Sequence, residues 1–269
     1  MSINLNHLKH QSPRINRGIG YDTFIVRKGK KRYILRIESK APNSRLKILR
    51  HHFFLKYLNN ESFVQKVINS GYNGNQFYFT TEFIAGKNLK NLNEKSLIKI
   101  KQILRKIHRR KLLGAGKFNV QKNRGEFINW NIYINDIIKK ILSLKNHKNL
   151  KSIVEETLIQ SKNLGKNIKQ RPANRLLHAD LNRENILIAK KRLFLLDWEN
   201  VTVGDPIADY AILMNFWNLK KIINEKLLSK VERDIFLFYR KIFFLLEIFY
   251  KRKYNMSISG DIKRISEGL

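Results

Sequence analysis

The sequence predicts an α+β chain, with a small β-rich N-terminal part and a larger, mostly helical C-terminal part. Three observations carry that expectation. Up to residue 84, short apolar runs alternate with polar residues and are punctuated by Gly and Asn, the pattern of half-buried strands. Beyond Asn88 the apolar period lengthens, with Leu97, Ile100, Ile103, Leu104 and Ile107 on one face, which is the helical spacing. Finally, 269 residues with 43% hydrophobic content and 16 Phe are enough for one large domain or two small ones with a substantial core.

Taken in order, Arg14 to Val26 reads as extended, with the glycine pair Gly18-Ile19-Gly20 inside it. The turn Lys28-Gly29-Lys30 leads into a second strand, Tyr33-Ile34-Leu35-Arg36-Ile37. Pro42-Asn43-Ser44 offers a cap for a helix with apolar residues at Leu46, Leu49, Phe53, Leu55 and Leu58. Two β-rich segments, Ser62 to Ser70 and Gln76 to Ile84, read as a hairpin around Gly71-Tyr72-Asn73-Gly74-Asn75. Ala85-Gly86-Lys87-Asn88 is a short connection. Helices are then expected from Leu97, over Glu126 to Leu144 and over Leu150 to Leu164, ending at Arg171-Pro172. A second hairpin, Ile186-Leu187-Ile188 with Leu193 to Leu196, turns at Lys190-Lys191, and helices resume from Pro206. This places a boundary near residue 84, dividing 1–84 from 85–269.

The chain carries 54 Lys+Arg against 21 Asp+Glu, a formal charge of +33. Such a charge ordinarily points to nucleic acid or an anionic membrane surface. The background composition offers another source for it: Lys (35), Ile (34) and Asn (29) have A/T-rich codons and far outnumber Ala (8), Gly (13) and Pro (4). The basic residues are dispersed, with no long basic block. A solvated basic surface is the preferred reading, and nucleic acid is not the expected partner. Cys is absent, which excludes disulfides and thiolate zinc sites. No apolar run reaches the ~18 residues of a membrane helix, and MSINLNHLKHQ lacks the apolar core of a secretory signal. The expected location is the cytoplasm.

The chemistry concentrates in Leu176 to Leu213, LLHADLNRENILIAKKRLFLLDWENVTVGDPIADYAIL. A hairpin there brings its ends together, with Asp180 and Asn185 ahead of its first strand and Asp197 after its second. Two carboxylates and an amide oxygen suit a hard divalent cation such as Mg²⁺, and a metal beside a spare carboxylate suits phosphoryl transfer. The remaining histidines are poor ligands, since the adjacent His51 and His52 point to different faces of a helix. The late aromatics, from Phe216 to Tyr254, fit a core stripe better than a cage for a quaternary ammonium. Glu247 is placed to pair with a neighbouring Lys or with a cationic substrate.

His178, Asp180 and Asn185 stand as H-x-D-x-x-x-x-N, the catalytic-loop pattern of kinase-like enzymes. With Asp197-Trp198-Glu199 and Gly204-Asp205-Pro206-x-x-Asp209-Tyr-Ala211 behind it, the segment resembles the aminoglycoside phosphotransferase and choline kinase superfamily. No A-P-E segment of protein kinases is present. Leu104-x-x-Ile107-His108, Glu82-Phe83-Ile84-Ala85-Gly86, and Gly114-Ala115-Gly116 through Gly125 and Trp130 extend the likeness, which spans about Gly18 to Ala211.

The resemblance implies a bilobal protein-kinase-like fold, with a nucleotide-binding lobe in 1–84 and a catalytic and substrate-binding lobe in 85–269. It implies an enzyme that uses Mg²⁺ and ATP, or GTP, to phosphorylate a hydroxyl of a small molecule. By the same resemblance Asp180 is the catalytic base, and Asn185 and Asp197 are the Mg²⁺ ligands. Gly18 and Gly20 lie in the flap over the phosphates, Arg36 is the strand cation, and Glu82 and Ile84 lie in the hinge that holds the adenine. His178 and Asp209 are structural, and Glu199 supports the metal. The chain departs from the family at His51, where a helix Glu is expected to partner the strand cation; either another acid, such as Glu38 or Glu61, replaces it, or nucleotide binding is weaker. Choline, ethanolamine or thiamine kinase-like activity is the nearest alternative, and nucleic-acid binding on a degenerate kinase scaffold is the alternative from another class.

Overall fold

The computed structural model describes residues 14–17, 20–217 and 229–266. The chain is sheet-rich in its N-terminal part and helical in its C-terminal part, as the periodicities predict. It divides into two compact units. One comprises Met1–Leu92, Phe118–Asn123 and Arg183–Val201; the other comprises Asn93–Lys117, Arg124–Asn182 and Thr202–Leu269.

The first unit is built on an antiparallel five-stranded sheet. Its strands are β1 (Arg14–Arg17), β2 (Tyr21–Lys28), β3 (Lys31–Glu38), β4 (Val67–Asn73) and β5 (Gln76–Glu82), in the order β1-β2-β3-β5-β4. β2 and β3 pair without a slip from Tyr21↔Glu38 to Lys28↔Lys31, and Gly29 at φ 58° closes the turn, a conformation glycine adopts at no steric cost. Phe24, Val26, Leu35, Ile37 and Tyr78 form a buried cluster on one face. Because strand side chains alternate, Arg36 points to the opposite face from Leu35 and Ile37.

Helix α1 (Ser44–Tyr57) packs against that sheet. Its buried residues include Ile48, Phe54 and Leu55, but also Arg50 and His51. Polar groups on a buried stripe require partners, and these bear on the site below. Asn43 adopts a left-handed conformation and makes no side-chain cap; Ser44 Oγ instead accepts from Ser39 N at 2.8 Å. The expected connection at 85–88 holds a short strand, β6 (Lys87–Asn88), paired with a later strand of this unit.

In the second unit, α2 (Glu94–His108) starts at Asn93, whose side chain accepts from Ser96 N at 2.9 Å. Periodicity predicts a helix from Glu126. The structure places strands β7 (Ala115–Asn119) and β8 (Arg124–Phe127) first, and α3 (Trp130–Leu142) begins behind the cap Asn129. The reason is backbone proximity: Gly114 and Gly116 take φ 75° and 78°, and a Cβ on Gly125 would overlap the backbone of Ala115. Gly125→Ala is therefore expected to destabilise the protein by about 1–3 kcal/mol or more, measured as a fall in melting temperature.

Helix α4 (Lys151–Lys169) runs five residues beyond its expected end at Leu164. Strands β9 (Arg175–Leu177) and β12 (Thr202–Gly204) complete a four-stranded sheet with β7 and β8, and α5 (Ile207–Trp217), α6 (Lys230–Lys253) and α7 (Ser259–Ser266) follow. α6 packs against α3, α4 and α5. Its Phe236, Phe238, Tyr239 and Phe244 are buried, so these rings form core rather than a cage. Trp130 lies on Gly204 and donates to Tyr239 Oη at 2.7 Å. Glu247 pairs with Lys251 at 2.7 Å. Among the described residues, no helix is long and apolar enough to cross a membrane.

Candidate active site

In the first unit, strands β10 (Ile186–Ala189) and β11 (Arg192–Leu195) form the second hairpin. Its two turn residues, Lys190 and Lys191, both have positive φ, 46° and 64°, as a tight two-residue hairpin turn requires. Ile186 pairs with Leu195, and Leu196 N donates to Asn185 O at 2.9 Å. The ladder thereby sets Asn185 beside the residue that precedes Asp197. Trp198, fully buried, donates from Nε1 to Leu195 O at 3.1 Å and anchors the chain just past Asp197. Asp197 has φ 56°, a left-handed conformation that costs a non-glycine residue roughly 1–2 kcal/mol.

The partners of these acids come from β2 and α1. Tyr21 donates from Oη to Asp197 Oδ1 at 2.6 Å, and His51 Nδ1 lies 2.6 Å from the same hydroxyl. Burial, followed by the charges of Asp197 and Glu199, pushes the Tyr21 hydroxyl well above its ordinary range, so it remains a donor. Lys47, one helical turn before His51, pairs with Glu199 Oε1 at 3.0 Å. Arg50 donates to Glu199 O at 2.7 Å and, through Nε, to Phe118 O. A Cβ on Gly20 would come within 2.5 Å of Glu199 Oε2, so glycine is what lets this loop lie against the acid. Gly18 lies outside the described residues.

Arg36 is buried at 7% exposure. It donates to Thr81 Oγ1 at 3.1 Å and to Gln65 Oε1 at 3.0 Å, and its guanidinium lies 5.5 Å from the centre of the Phe79 ring. Burial lowers its pKa, while Tyr21 and Asp197 act to raise it. Glu38 directs Oε2 to Phe77 N at 3.0 Å, and among the described residues no carboxylate forms an ion pair with Arg36. Two neutral oxygens stand in place of the helix carboxylate that the family pattern predicts.

At the end of β5, Glu82 is fully engaged: N donates to Lys66 O, O accepts from Gln65 Nε2, and Oε1 accepts from Lys66 N. Ile84 makes no backbone hydrogen bond to the described residues. His52 meets Phe77 edge-on and Phe79 at a tilt, and burial pushes its imidazole down to about 4.

Asp180 belongs to the second unit, on the loop after β9. Asp209, fully buried on the first turn of α5, holds that loop: Oδ2 accepts from His178 N at 3.0 Å and Oδ1 from Ala179 N at 2.8 Å. His108 Nε2 lies 2.9 Å from Asp209 Oδ2. Ala179 has φ 60°, which like Asp197 puts a non-glycine residue in the left-handed region, and strain of this kind gathers at functional sites. Asn182 Nδ2 donates to Asp180 Oδ1 at 2.8 Å, and Trp217 Nε1 donates to Leu181 O at 2.9 Å. Asp180 itself is half-buried.

Among the described residues, no three His, Cys, Asp or Glu side chains gather into a metal cage. The donor set is that of a cation held partly by substrate. Asp197 keeps Oδ2 without a hydrogen-bond partner among the described residues, its side chain is 36% exposed, and Asn185 follows the same ladder. Mg²⁺ takes one or two protein oxygens and completes its octahedron with water and phosphate, so the residues present fit it.

Residues 13–223 match the model of the phosphotransferase enzyme family. The chain belongs to that family, and by class it is a phosphotransferase enzyme. No curated protein sequence matched it. Among solved structures, aminoglycoside phosphotransferase APH(4)-Ia, as a thermostable mutant without ligand, is 16% identical, with a TM-score of 0.71 over 96% of each chain. A second structure of that thermostable enzyme, 15% identical with a TM-score of 0.71 over 93% of this chain and 91% of its own, is a ternary complex with AMP-PNP and hygromycin B. A choline/ethanolamine kinase family protein from Mesorhizobium loti is 16% identical, with a TM-score of 0.66 over 99% of this chain and 88% of its own. These likenesses show a kinase-like fold.

Sequence reasoning missed Tyr21, Lys47, Gln65 and Thr81. The usable signal was on α1, where Lys47 and His51 are four residues apart and so share a face.

Proposed function

We propose that the protein transfers the γ-phosphate of ATP to a hydroxyl of a small molecule, with Mg²⁺ as its metal. The observation that carries this reading is the β10–β11 hairpin, which sets Asn185 beside the Leu196-Asp197 segment while Asp209 holds the loop of Asp180. In the reaction the acceptor oxygen bonds to the γ-phosphorus and the bond to the β–γ bridging oxygen breaks. ADP leaves, and Asp180 takes the hydroxyl proton. Asn185 and Asp197 would hold Mg²⁺, which when bound neutralises charge on the phosphates.

Arg36 would face the phosphates as a fixed cation, with Gly20 in the loop that covers them. Ile84, whose N–H and C=O make no hydrogen bond among the described residues, would meet the adenine edge, while Glu82 spends its backbone groups on Lys66 and Gln65. Nucleotide binding is assigned to residues 1–84, and catalysis and acceptor binding to residues 85–269, in the cytoplasm where ATP is made. The acceptor class is a hydroxylated small molecule of the kind aminoglycoside phosphotransferases use. The burial of the α6 rings weighs against choline.

Melting the protein with and without Mg·ATP tests the reading. At a nucleotide concentration about 100 times Kd, a rise of about 5–10 °C is expected. No rise, together with tight salt-sensitive binding to RNA, would overturn it in favour of a nucleic-acid-binding scaffold. Ile84→Pro removes one open N–H and is expected to weaken ATP about tenfold, the loss of one hydrogen bond, read by titration calorimetry.

A further inference from the structure

The helix that lacks the expected carboxylate is not idle. From α1, Lys47 grips the Glu199 side chain at 3.0 Å, Arg50 holds the Glu199 carbonyl at 2.7 Å, and His51 reaches the hydroxyl of Tyr21 at 2.6 Å. Three polar groups of one helix face thus converge on segment 197–199, directly or through one tyrosine. Arg36, which a helix acid would otherwise engage, is held by Gln65 and Thr81 instead.

The hydroxyl of Tyr21 sits between two acceptor-capable atoms and has one proton. That proton goes to Asp197 Oδ1. For the 2.6 Å contact on the other side to be a hydrogen bond, His51 Nδ1 must carry its own proton and donate to Tyr21 Oη. A directed chain results, from His51 Nδ1–H to Tyr21 Oη–H to Asp197 Oδ1, in a setting where His51 is fully buried and its ring meets Phe79 edge-on at 5.4 Å. Successive hydrogen bonds of this kind polarise one another. The chain ends on one oxygen of a half-exposed carboxylate whose backbone is already strained, and the other oxygen has no hydrogen-bond partner among the described residues.

We propose that Tyr21 is a positioning residue for Asp197, locking one carboxylate oxygen so that the other is preset for Mg²⁺, with His51 as the buttress that orients the tyrosine. The inference rests on reading Asp197 as a metal ligand of a phosphotransferase. It gives His51 a function on this helix other than clamping Arg36.

The test uses the full chain and a fluorescent ATP analogue, titrated with Mg²⁺ and also measured in EDTA. Tyr21→Phe is expected to bind the analogue in EDTA as the wild type does, to need about tenfold more Mg²⁺ for half-saturation, and to lose kcat with acceptor KM unchanged. His51→Phe, which removes the donor to Tyr21, is expected to shift the Mg²⁺ requirement in the same direction. His51→Gln, whose amide still donates, restores most of it. Tyr78→Phe, which removes a different buried hydroxyl of the same sheet, keeps the wild-type requirement. If Tyr21→Phe melts like the wild type and needs no extra Mg²⁺, or if His51→Phe alone shifts the requirement, the inference falls while the phosphotransferase reading stands. If the wild type itself shows neither Mg²⁺-dependent nucleotide binding nor phosphate transfer, the site reading falls and the inference with it.

Discussion

Replacing Asp180 by alanine is expected to lower kcat by about 10³-fold or more, leaving the melting temperature and the affinity for Mg·ATP near wild type. A positioned general base contributes roughly 10²–10⁴-fold, and here its position is fixed by structure that the substitution does not touch. The loop is held by its own backbone through His178 N and Ala179 N on Asp209, and by Leu181 O on Trp217. The substitution removes the bond from Asn182 Nδ2 but none of these anchors, so the loop should keep its course. Steady-state kinetics with any accepted alcohol checks this, beside calorimetric titration of nucleotide. A loss of nucleotide affinity as large as the loss of kcat would remove Asp180 from the role of base.

The second large effect is expected at Asp197. Asp197→Asn keeps the shape and still accepts from Tyr21, but it removes the negative charge that a divalent cation requires. Mg²⁺-dependent strengthening of nucleotide binding is expected to fall about 100-fold, and kcat by about 10³-fold or more. Binding of nucleotide in EDTA should change little, because Arg36 stays charged and keeps its hydrogen bonds to Thr81 and Gln65. The two substitutions are therefore separable: Asp180→Ala is expected to act on turnover alone, and Asp197→Asn on metal-linked binding and turnover together.

Local pattern made much of this architecture legible. The β10–β11 hairpin follows from its apolar runs and the Lys190-Lys191 turn, and the change of period after Asn88 announces the helices. The helix that periodicity predicts from Glu126 starts later, because its first residues form β8. The cause is the close approach of Gly125 to Ala115 across the ladder, which helical periodicity alone does not reveal. The apolar pattern ends α4 at Leu164, ahead of Gly165, yet the helix continues to Lys169, since nothing crowds that glycine.

At the site, the placing of Asn185 beside the segment of Asp197 was readable because hairpin closure makes near neighbours of residues close in sequence. Tyr21 was not, because the aspartate it holds lies 176 residues away and no local repeat links them. His51 was readable only as a missing carboxylate. Its role emerges from α1, which carries Arg50 and His51 on its buried stripe, where polar groups must find partners.

The proposed reaction moves phosphate to an alcohol. Phosphorus NMR of the wild-type protein with Mg·ATP tests it most directly, using a panel of aminoglycosides, choline, ethanolamine, thiamine and simple sugars. A phosphomonoester signal is expected with at least one acceptor, growing in step with ADP and absent with Asp180→Ala. ADP and free phosphate alone across the whole panel, or a phosphomonoester made equally well by Asp180→Ala, would contradict it.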